Sequence, residues 1–508
     1  MIMQNQMERL EPKRDKYNIV LSNILAYLDN KEMIALENCS VVLREELQKQ
    51  RLGKLSTKKV LIAYGGGKDS SYMLTYVRAI QLLILKKYGE TFKIRICTNR
   101  QMGMIKAVME NIHSVYMALG LYEDRYSEMF LIDAHEITPF DKDLPISNTV
   151  KEISRKEVLM SGHRSQGDGR PTFCNACNLS MVNSFGITAW YEGGVDMVIT
   201  GDSKKELRDY YIWVKRLSLK LGDQSNAGRG FDEFLHSMNY ISEKYFRETF
   251  GENADQEVQK RAISINTDKI KAPTFFSIFD YTSYDAGDHW ELLTDFLGFQ
   301  FDSIAFSFSE TDCANPALMA HLRGLKSEKI RQKNYADGIA EYLSLAIELM
   351  RKKNFPKQLI EIAIKRYEGE KAISIMRNKM QEYSKECFDL TEEQLVCMVY
   401  SPFIDNGVRL GSYLAQEQPK LVPFYNEIHS ILSDNISDSS NENLLEKLFE
   451  ISGLTLSEMQ ALYSQKTLTL ADKSSVVSMI LKDDPHKKII ETRHELNGEL
   501  VKEVISGR

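Results

Sequence analysis

Apolar residues along this chain fall into two kinds of run, and the two alternate over its middle third. Short runs rich in apolar residues, Val60 to Ala63, Phe92 to Cys97, Met129 to Ile132, Val195 to Thr200 and Ser303 to Phe308, read as strands, and the first is wholly apolar. Between them lie segments with apolar residues at helical spacing, among them Met73, Leu74, Val77, Ile80, Leu83 and Ile84, then Ile105 to Leu119, Leu179 to Tyr191 and Asp288 to Leu297. The alternation predicts an α/β domain over 58–334, built on a doubly wound, parallel, five-stranded sheet. A more polar stretch, 223–271, reads as a partly helical insertion. Residues 1–57 read as helical, with Ile19, Leu21, Ile24, Leu25 and Leu28 on one face, and are expected to form a cap or a homodimer element.

From Tyr335 the pattern is almost wholly helical, with Ile339, Tyr342, Leu343, Ala346 and Leu349 on one face. This predicts a helical domain over 335–432, a linker at 433–443 rich in Ser, Asp and Asn, and a last helical unit over 444–508. Leu454 to Met459 has the form of a helix-turn-helix start with Ser457 near the cap. A helical cap or a protein-contact surface is the other reading of that unit.

With 508 residues there is material for two or three domains, and 43% hydrophobic and 27% charged residues are ordinary for a globular chain. A net charge of −6 argues against a surface that grips nucleic acid everywhere, while a local basic patch stays open. No apolar run is long enough to span a bilayer, and the start, Met1 to Lys16, lacks a signal-peptide pattern. Seven cysteines spread over the chain do not suggest a disulfide framework. A cytoplasmic protein without a membrane partner is expected.

The first strand ends in Gly65-Gly66-Gly67-Lys68-Asp69-Ser70, and a helix follows. Strand, glycine turn and helix N-terminus together make an anion site, because glycines let backbone N–H groups approach a phosphate and the helix dipole favours negative charge. Lys68 adds a point charge and Ser70 a hydroxyl. The G-x-x-x-x-G-K-[ST] frame of a Walker A loop is absent.

This turn resembles the S-G-G-x-D-S loop of the PP-loop ATP pyrophosphatase (adenine nucleotide alpha hydrolase-like) superfamily, through Gly66, Gly67, Asp69 and Ser70. Gly65 stands where that family usually has Ser, so one hydroxyl contact to the pyrophosphate is missing. The resemblance covers about residues 58–330 and implies a HUP/Rossmann-like fold that binds ATP with Mg²⁺. It implies pyrophosphate on Gly65, Gly66, Gly67, Asp69 and Ser70, ribose beside Ala63 and Tyr64, and adenine near Cys97, Thr98 and Asn99. It also implies an α-phosphate or magnesium contact from Gly201 and Asp202; a helix N-cap is the plain reading of Asp202. A substrate oxygen would attack the α-phosphate, giving an adenylated intermediate and pyrophosphate.

Phe173-Cys174-Asn175-Ala176-Cys177 is the second informative stretch, and Cys313 follows the fifth expected strand. Two thiolates at C-x-x-C spacing can share a metal or cluster, or cycle as a redox pair. The arrangement resembles the iron–sulfur tRNA thiolation enzymes of the same superfamily, which implies a [4Fe–4S] cluster on Cys174, Cys177 and Cys313. Zn²⁺ on these cysteines with His163 or His321 as fourth ligand, and a metal-free persulfide or disulfide relay, remain open. Cys39, Cys97, Cys387 and Cys397 read as small core residues. Ser161 to Arg170, rich in glycine and basic residues, reads as a mobile lid or a solvated loop, with Arg164 and Arg170 able to meet a phosphate or carboxylate. Lys204, Lys205, Glu206 and Arg208 are read as substrate contacts or as a charged helix face, and Trp190, Trp213 and Trp290 as core.

Lys68, Asp69, Cys174, Cys177 and Cys313 are thus the residues expected to carry chemistry. The leading expectation is ATP-dependent adenylation followed by sulfur transfer onto tRNA or a small metabolite, with a sulfur-donor protein as a partner. An amide-forming ligase or amidotransferase on the same fold, and a nucleotide-binding regulatory protein without turnover, are the competing readings.

Overall fold

The computed structural model describes residues 11–50, 53–173, 175–200, 204–224, 230–251, 254–262, 272–282, 289–302, 304, 314–352, 355–433, 442–468, 472, 474–483, 488–493 and 500–505. It is an α/β structure around one six-stranded sheet. The strands are β1 (Lys59–Ala63), β2 (Lys93–Asn99), β3 (Ser127–Asp133), β4 (Glu136–Pro139), β5 (Met197–Ile199) and β6 (Thr274–Phe276), in the order β4-β3-β2-β1-β5-β6. All pairings are parallel except β3 with β4.

Side-chain alternation along the strands divides the interior into two cores. Val60 and Ile62 of β1, Ile94 and Ile96 of β2 and Met197 and Ile199 of β5 enter one core. The helices Glu11–Leu25, Asn30–Gln50, Lys68–Tyr88 and Lys106–Ala118 cover it through Leu21, Leu43, Val77 and Ile112. Leu61, Cys97 and Val198 enter the other core with the helices Asn148–Arg164, Asn175–Trp190 and Phe231–Phe250 and much of the C-terminal helical region. Burial on both faces explains why β1, Lys-Val-Leu-Ile-Ala, reads as an almost continuous apolar run.

Several expectations change. The strand beside β5 is β6, three residues long, and the hairpin strand β4 closes the far edge; neither stood out in the apolar pattern. Of the expected strand at Ser303 to Phe308, only Ile304 is among the described residues. The stretch 223–271 carries two helices, Phe231–Phe250 and Ala254–Arg261, and Phe231, Leu235, Tyr245 and Phe246 put the first of them in a core instead of on the periphery. The segment expected as a helix to Leu297 contains a π-helical turn, Leu292–Phe296.

Ser161 to Arg170 is not a solvated loop. It holds the buried end of the helix Asn148–Arg164 and the start of the short helix Gly169–Phe173. His163 is fully buried, and Arg164 bonds Glu248 and Thr249. Lys205 and Arg208 are exposed on the helix Lys204–Lys220, as on a charged face.

Among the described residues the C-terminal region from Tyr335 to Asp483 is built of helices and their connections, and it is followed by two antiparallel strands, β7 (Lys488–Arg493) and β8 (Leu500–Ile505), where only helix was expected. Thr455, not Ser457, caps the helix Leu456–Tyr463. Its hydroxyl accepts from the Glu458 N–H and the Glu458 carboxylate accepts from its N–H, a reciprocal box.

Candidate functional site

β1 leads straight into the glycine turn. The Tyr64 N–H donates to the Cys97 carbonyl at 3.0 Å, extending the parallel ladder one residue beyond Ala63. Gly66 then turns the chain with φ +80°, and a Cβ there would lie 2.7 Å from Cγ1 of Ile112. Both the backbone angle and the close helix behind it require glycine. Gly67 is the N-cap of the helix Lys68–Tyr88. Its carbonyl collects the Ser71 N–H at 3.0 Å and the hydroxyls of Ser70 and Ser71 at 3.0 and 2.8 Å. The first-turn N–H groups have no intrahelical acceptor, as at every helix start, so this end attracts an anion.

Other expected nucleotide residues divide between lining and support. The Tyr64 ring is buried, packs 5.6 Å from the Tyr116 ring and sets its hydroxyl 3.1 Å from Ser71 Oγ. Thr98 is buried too, with Oγ1 3.1 Å from the Tyr116 hydroxyl. These two side chains brace the turn from beneath and leave only their backbones for a nucleotide. Asn99 accepts a hydrogen bond from Ser184 Oγ at 2.7 Å. Lys68, 4% exposed, places its ammonium 2.5 Å from Asp69 Oδ1 and 5.9 Å from the Phe355 ring. Gly65 and Ala63 are half-buried. Gly201 and Asp202 lie outside the described residues.

A cavity of about 100 Å³ opens beyond the carboxyl ends of β2 and β3. Phe173, Leu179, Phe246 and Phe388 give it apolar walls, and Arg100, Asn183, Glu157 and Arg261 contribute polar groups. Arg100 follows β2 and grips Asp133 at the end of β3, with Nε 2.9 Å from Oδ1. Asn183 is 5% exposed; its Nδ2 donates to the Ala134 carbonyl at 3.1 Å, while its Oδ1 has no partner among the described residues. Burial pushes the Glu157 carboxyl above its usual range against the pull of Arg261. Arg261 also pairs with Glu257, at 2.5 Å. A mostly apolar cleft with an unpaired amide oxygen suits a small, flat ligand that presents an N–H or O–H.

Cys174 and Cys313 lie outside the described residues. Cys177 belongs to the helix Asn175–Trp190, and its side chain is likewise outside them. The described neighbours of all three converge, however. Phe173 and Leu179, on either side of the C-x-x-C pair, and Asn315, two residues past Cys313, line this one cavity. The Ala314 N–H donates to the Gly103 carbonyl at 2.9 Å, which ties the helix Asn315–Lys329 to the loop after β2. That helix also packs closely on Gly169–Phe173, where a Cβ on Gly169 would sit 2.6 Å from Met319 Cγ.

The two histidines considered as zinc ligands are fully buried. His321 Nδ1 lies 2.7 Å from the Tyr335 hydroxyl and its Nε2 3.7 Å from Glu392, and burial brings its pKa down to about 4. His163 packs 5.9 Å from the Phe403 ring with neither nitrogen partnered among the described residues, and burial brings its pKa down to about 3. Among the described residues no group of three His, Cys, Asp or Glu side chains is placed to hold a metal. Cys39, Cys97, Cys387 and Cys397 are buried core residues, each thiol pushed up to about 12 by burial.

Sequence reading missed Asn183, Arg100, Glu157 and Arg261. Only Arg100 carried a signal, its position just after a strand on the edge where ligands gather. No helix among the described residues is long and apolar enough to cross a membrane. No protein-family model matches the chain, and no curated protein matches it.

Proposed function

We propose that the chain is an ATP-dependent adenylating enzyme of the PP-loop type, with a HUP/Rossmann-like core, that goes on to transfer sulfur. One observation carries this reading: the positive-φ Gly66 turn joins β1 to a helix N-terminus while β1 is flanked by β2 on one side and β5 on the other. At such a switch point the connections leave to opposite faces and open a crevice at the carboxyl edge of the sheet. The turn would hold the β- and γ-phosphates of ATP through backbone N–H groups, with Ser70 rotating from the Gly67 carbonyl onto a phosphate oxygen. Asp69, 55% exposed and paired with Lys68, would be the carboxylate available to Mg²⁺, which would offset charge on the phosphates.

The cavity beyond β2 and β3 is the natural seat for the acceptor. A carbonyl oxygen of the acceptor attacks the α-phosphorus, the bond to the β-phosphate oxygen breaks, and pyrophosphate leaves. A sulfide sulfur then adds at the activated carbon, and AMP leaves with the original oxygen; if the sulfur arrives as a persulfide on one cysteine, the resulting C–S–S link is opened by a second cysteine thiolate, which leaves the product sulfur on carbon and the two cysteines as a disulfide. Asn183 Oδ1 is free to accept an N–H beside that carbonyl and so orient it. The cysteine stretches border this cavity through Phe173, Leu179 and Asn315, which supports a sulfur-carrying role for Cys174, Cys177 and Cys313. A [4Fe–4S] cluster on these three would supply an iron able to present sulfur. Small-molecule and tRNA acceptors both fit this scheme.

Anaerobic purification with iron, zinc and acid-labile sulfide counted per chain, beside ATP-binding titrations, tests the reading. ATP binding that is weakened in Ser70→Ala, with iron and sulfide lost in Cys174→Ala, is the expected result. ATP binding with zinc or no metal, unchanged in Cys174→Ala, overturns sulfur transfer through a cluster and moves the assignment to an amide-forming ligase.

A further inference from the structure

The geometry points to a second ligand site, for a small phosphate-bearing molecule, in the helical part of the chain. A cavity of about 210 Å³ lies between the last turns of the helices Asn315–Lys329 and Glu392–Tyr400 and the helix Leu410–Glu417. Lys326, Lys329 and Arg409 line it, with Tyr400, Ser412 and Gln416, and none of its described lining residues is a carboxylate. Three cations around one concavity, away from the sheet edge, are not needed by the nucleotide chemistry.

The cations differ in how fully they are satisfied. Lys326 is 3% exposed, so its ammonium is held largely out of water. Lys329 reaches Glu417, with Nζ 3.1 Å from Oε2. Arg409 makes no side-chain hydrogen bond or ion pair to a described residue. Asp405 acts on it only through space, because both Asp405 oxygens are taken by Thr467: Oδ1 accepts the N–H at 3.1 Å and Oδ2 the hydroxyl. Burial lowers the Arg409 pKa without removing its charge. A half-buried guanidinium fork without a partner, next to two ammonium groups, matches a phosphate: the fork binds two oxygens and each lysine acts as a point charge.

Size narrows the ligand. The cavity has room for on the order of ten waters, enough for a phosphate carrying a small organic group. Ser412 and Gln416 are exposed at the mouth, so the ligand enters from solvent. The site is also wired to the first cavity by one element. Asn315 lines the first and Lys326 the second, and a rise of 1.5 Å per residue puts them about 16 Å apart along the same helix. A phosphate bound at Lys326 and Lys329 would therefore stiffen the helix whose other end borders the acceptor cavity. None of this depends on how the glycine turn is read.

Inorganic phosphate is the probe, measured by calorimetric titration at low ionic strength with the full chain. A single class of sites is expected in the wild type and in Ser70→Ala, weakened at least tenfold in Arg409→Gln and in Lys329→Gln. Arg409 is only half-buried, so Arg409→Gln should melt like the wild type without phosphate and lose the phosphate-dependent rise in melting temperature. Absence of saturable binding overturns the proposal. So does binding that survives Arg409→Gln and disappears in Ser70→Ala, which would put the phosphate on the glycine turn.

Discussion

Gly66→Ala tests the turn on which the proposed nucleotide site rests. Alanine at φ +80° pays the left-handed penalty of about 1–2 kcal/mol. Its methyl would also stand 2.7 Å from Ile112 Cγ1 and 2.9 Å from Cδ1, and overpacking of this kind costs about 1–3 kcal/mol. Ile112 is fully buried and cannot swing away, so the expected loss of stability is about 2–5 kcal/mol. Urea unfolding of four proteins separates the two parts: wild type, Gly66→Ala, Ile112→Ala and the double variant. Ile112→Ala alone should cost about 2–5 kcal/mol through the cavity it leaves. In the double variant the clash is gone while the backbone strain stays, so the two losses should fall short of additive by about 1–3 kcal/mol. ATP affinity should drop at least tenfold in Gly66→Ala, because the backbone N–H groups move off the phosphate. Strict additivity, or a Gly66→Ala loss near zero, would refute the close approach of the turn to the helix Lys106–Ala118.

His163→Leu should flatten the acid limb of stability. An imidazole held near pKa 3 when folded, against about 6.5 unfolded, leaves the unfolded chain with the extra proton below pH 6.5. Stability is therefore complete above that pH and falls as the pH drops, by about 2 kcal/mol at pH 5, a loss that urea midpoints at pH 5 and 8 should no longer show in the leucine variant. Glu257 works at lower pH: burial raises its pKa, but Arg261 and Lys156 outweigh this and hold it at about 2. Its contribution is present above about pH 4.3 and is lost as the pH falls towards 2, so Glu257→Gln should show a shallower loss of melting temperature over that window. Asn183→Leu should leave ATP affinity unchanged and slow AMP formation with a cognate acceptor; equal AMP yields in variant and wild type would remove Asn183 from acceptor binding.

Legibility in the sequence followed how many faces an element buries. β1 and β5 read as apolar runs because helices cover both sides of the sheet there, while β2 and β3 keep charged positions such as Arg95 and Glu128, which pair with each other. β4, Glu-Ile-Thr-Pro, is an edge strand with polar and exposed positions, and β6 is only Thr-Phe-Phe, so neither carries a period long enough to detect. The helix Phe231–Phe250 looked peripheral because its sequence is polar on average. Its apolar residues are nonetheless at helical spacing, and Phe231, Leu235, Met238 and Ile241 all enter a core.

The site divides in the same way, between what the backbone builds and what distant side chains build. A glycine turn is local: strand, glycines and helix start adjoin in the chain, so the turn proposed as a phosphate cradle could be located from fourteen residues. The burial of polar side chains in and around the cavity beyond β2 and β3 is not local. Arg164 looked like a solvated loop residue because its partners, Glu248 and Thr249, lie over eighty positions away. Arg261 meets Glu157 across 104 positions, and Asn183 is fixed by the carbonyl of Ala134. A polar side chain in a sequence declares its charge and not its partner, and burial with a distant partner is what turns Arg100, Glu157 and Arg261 from solvated residues into cavity lining. The same reasoning separates the two cavities. In the first, the described charges are paired within the protein and the Asn183 amide oxygen has no described partner, which favours a neutral ligand. In the second, the Arg409 guanidinium is left over, which favours an anion.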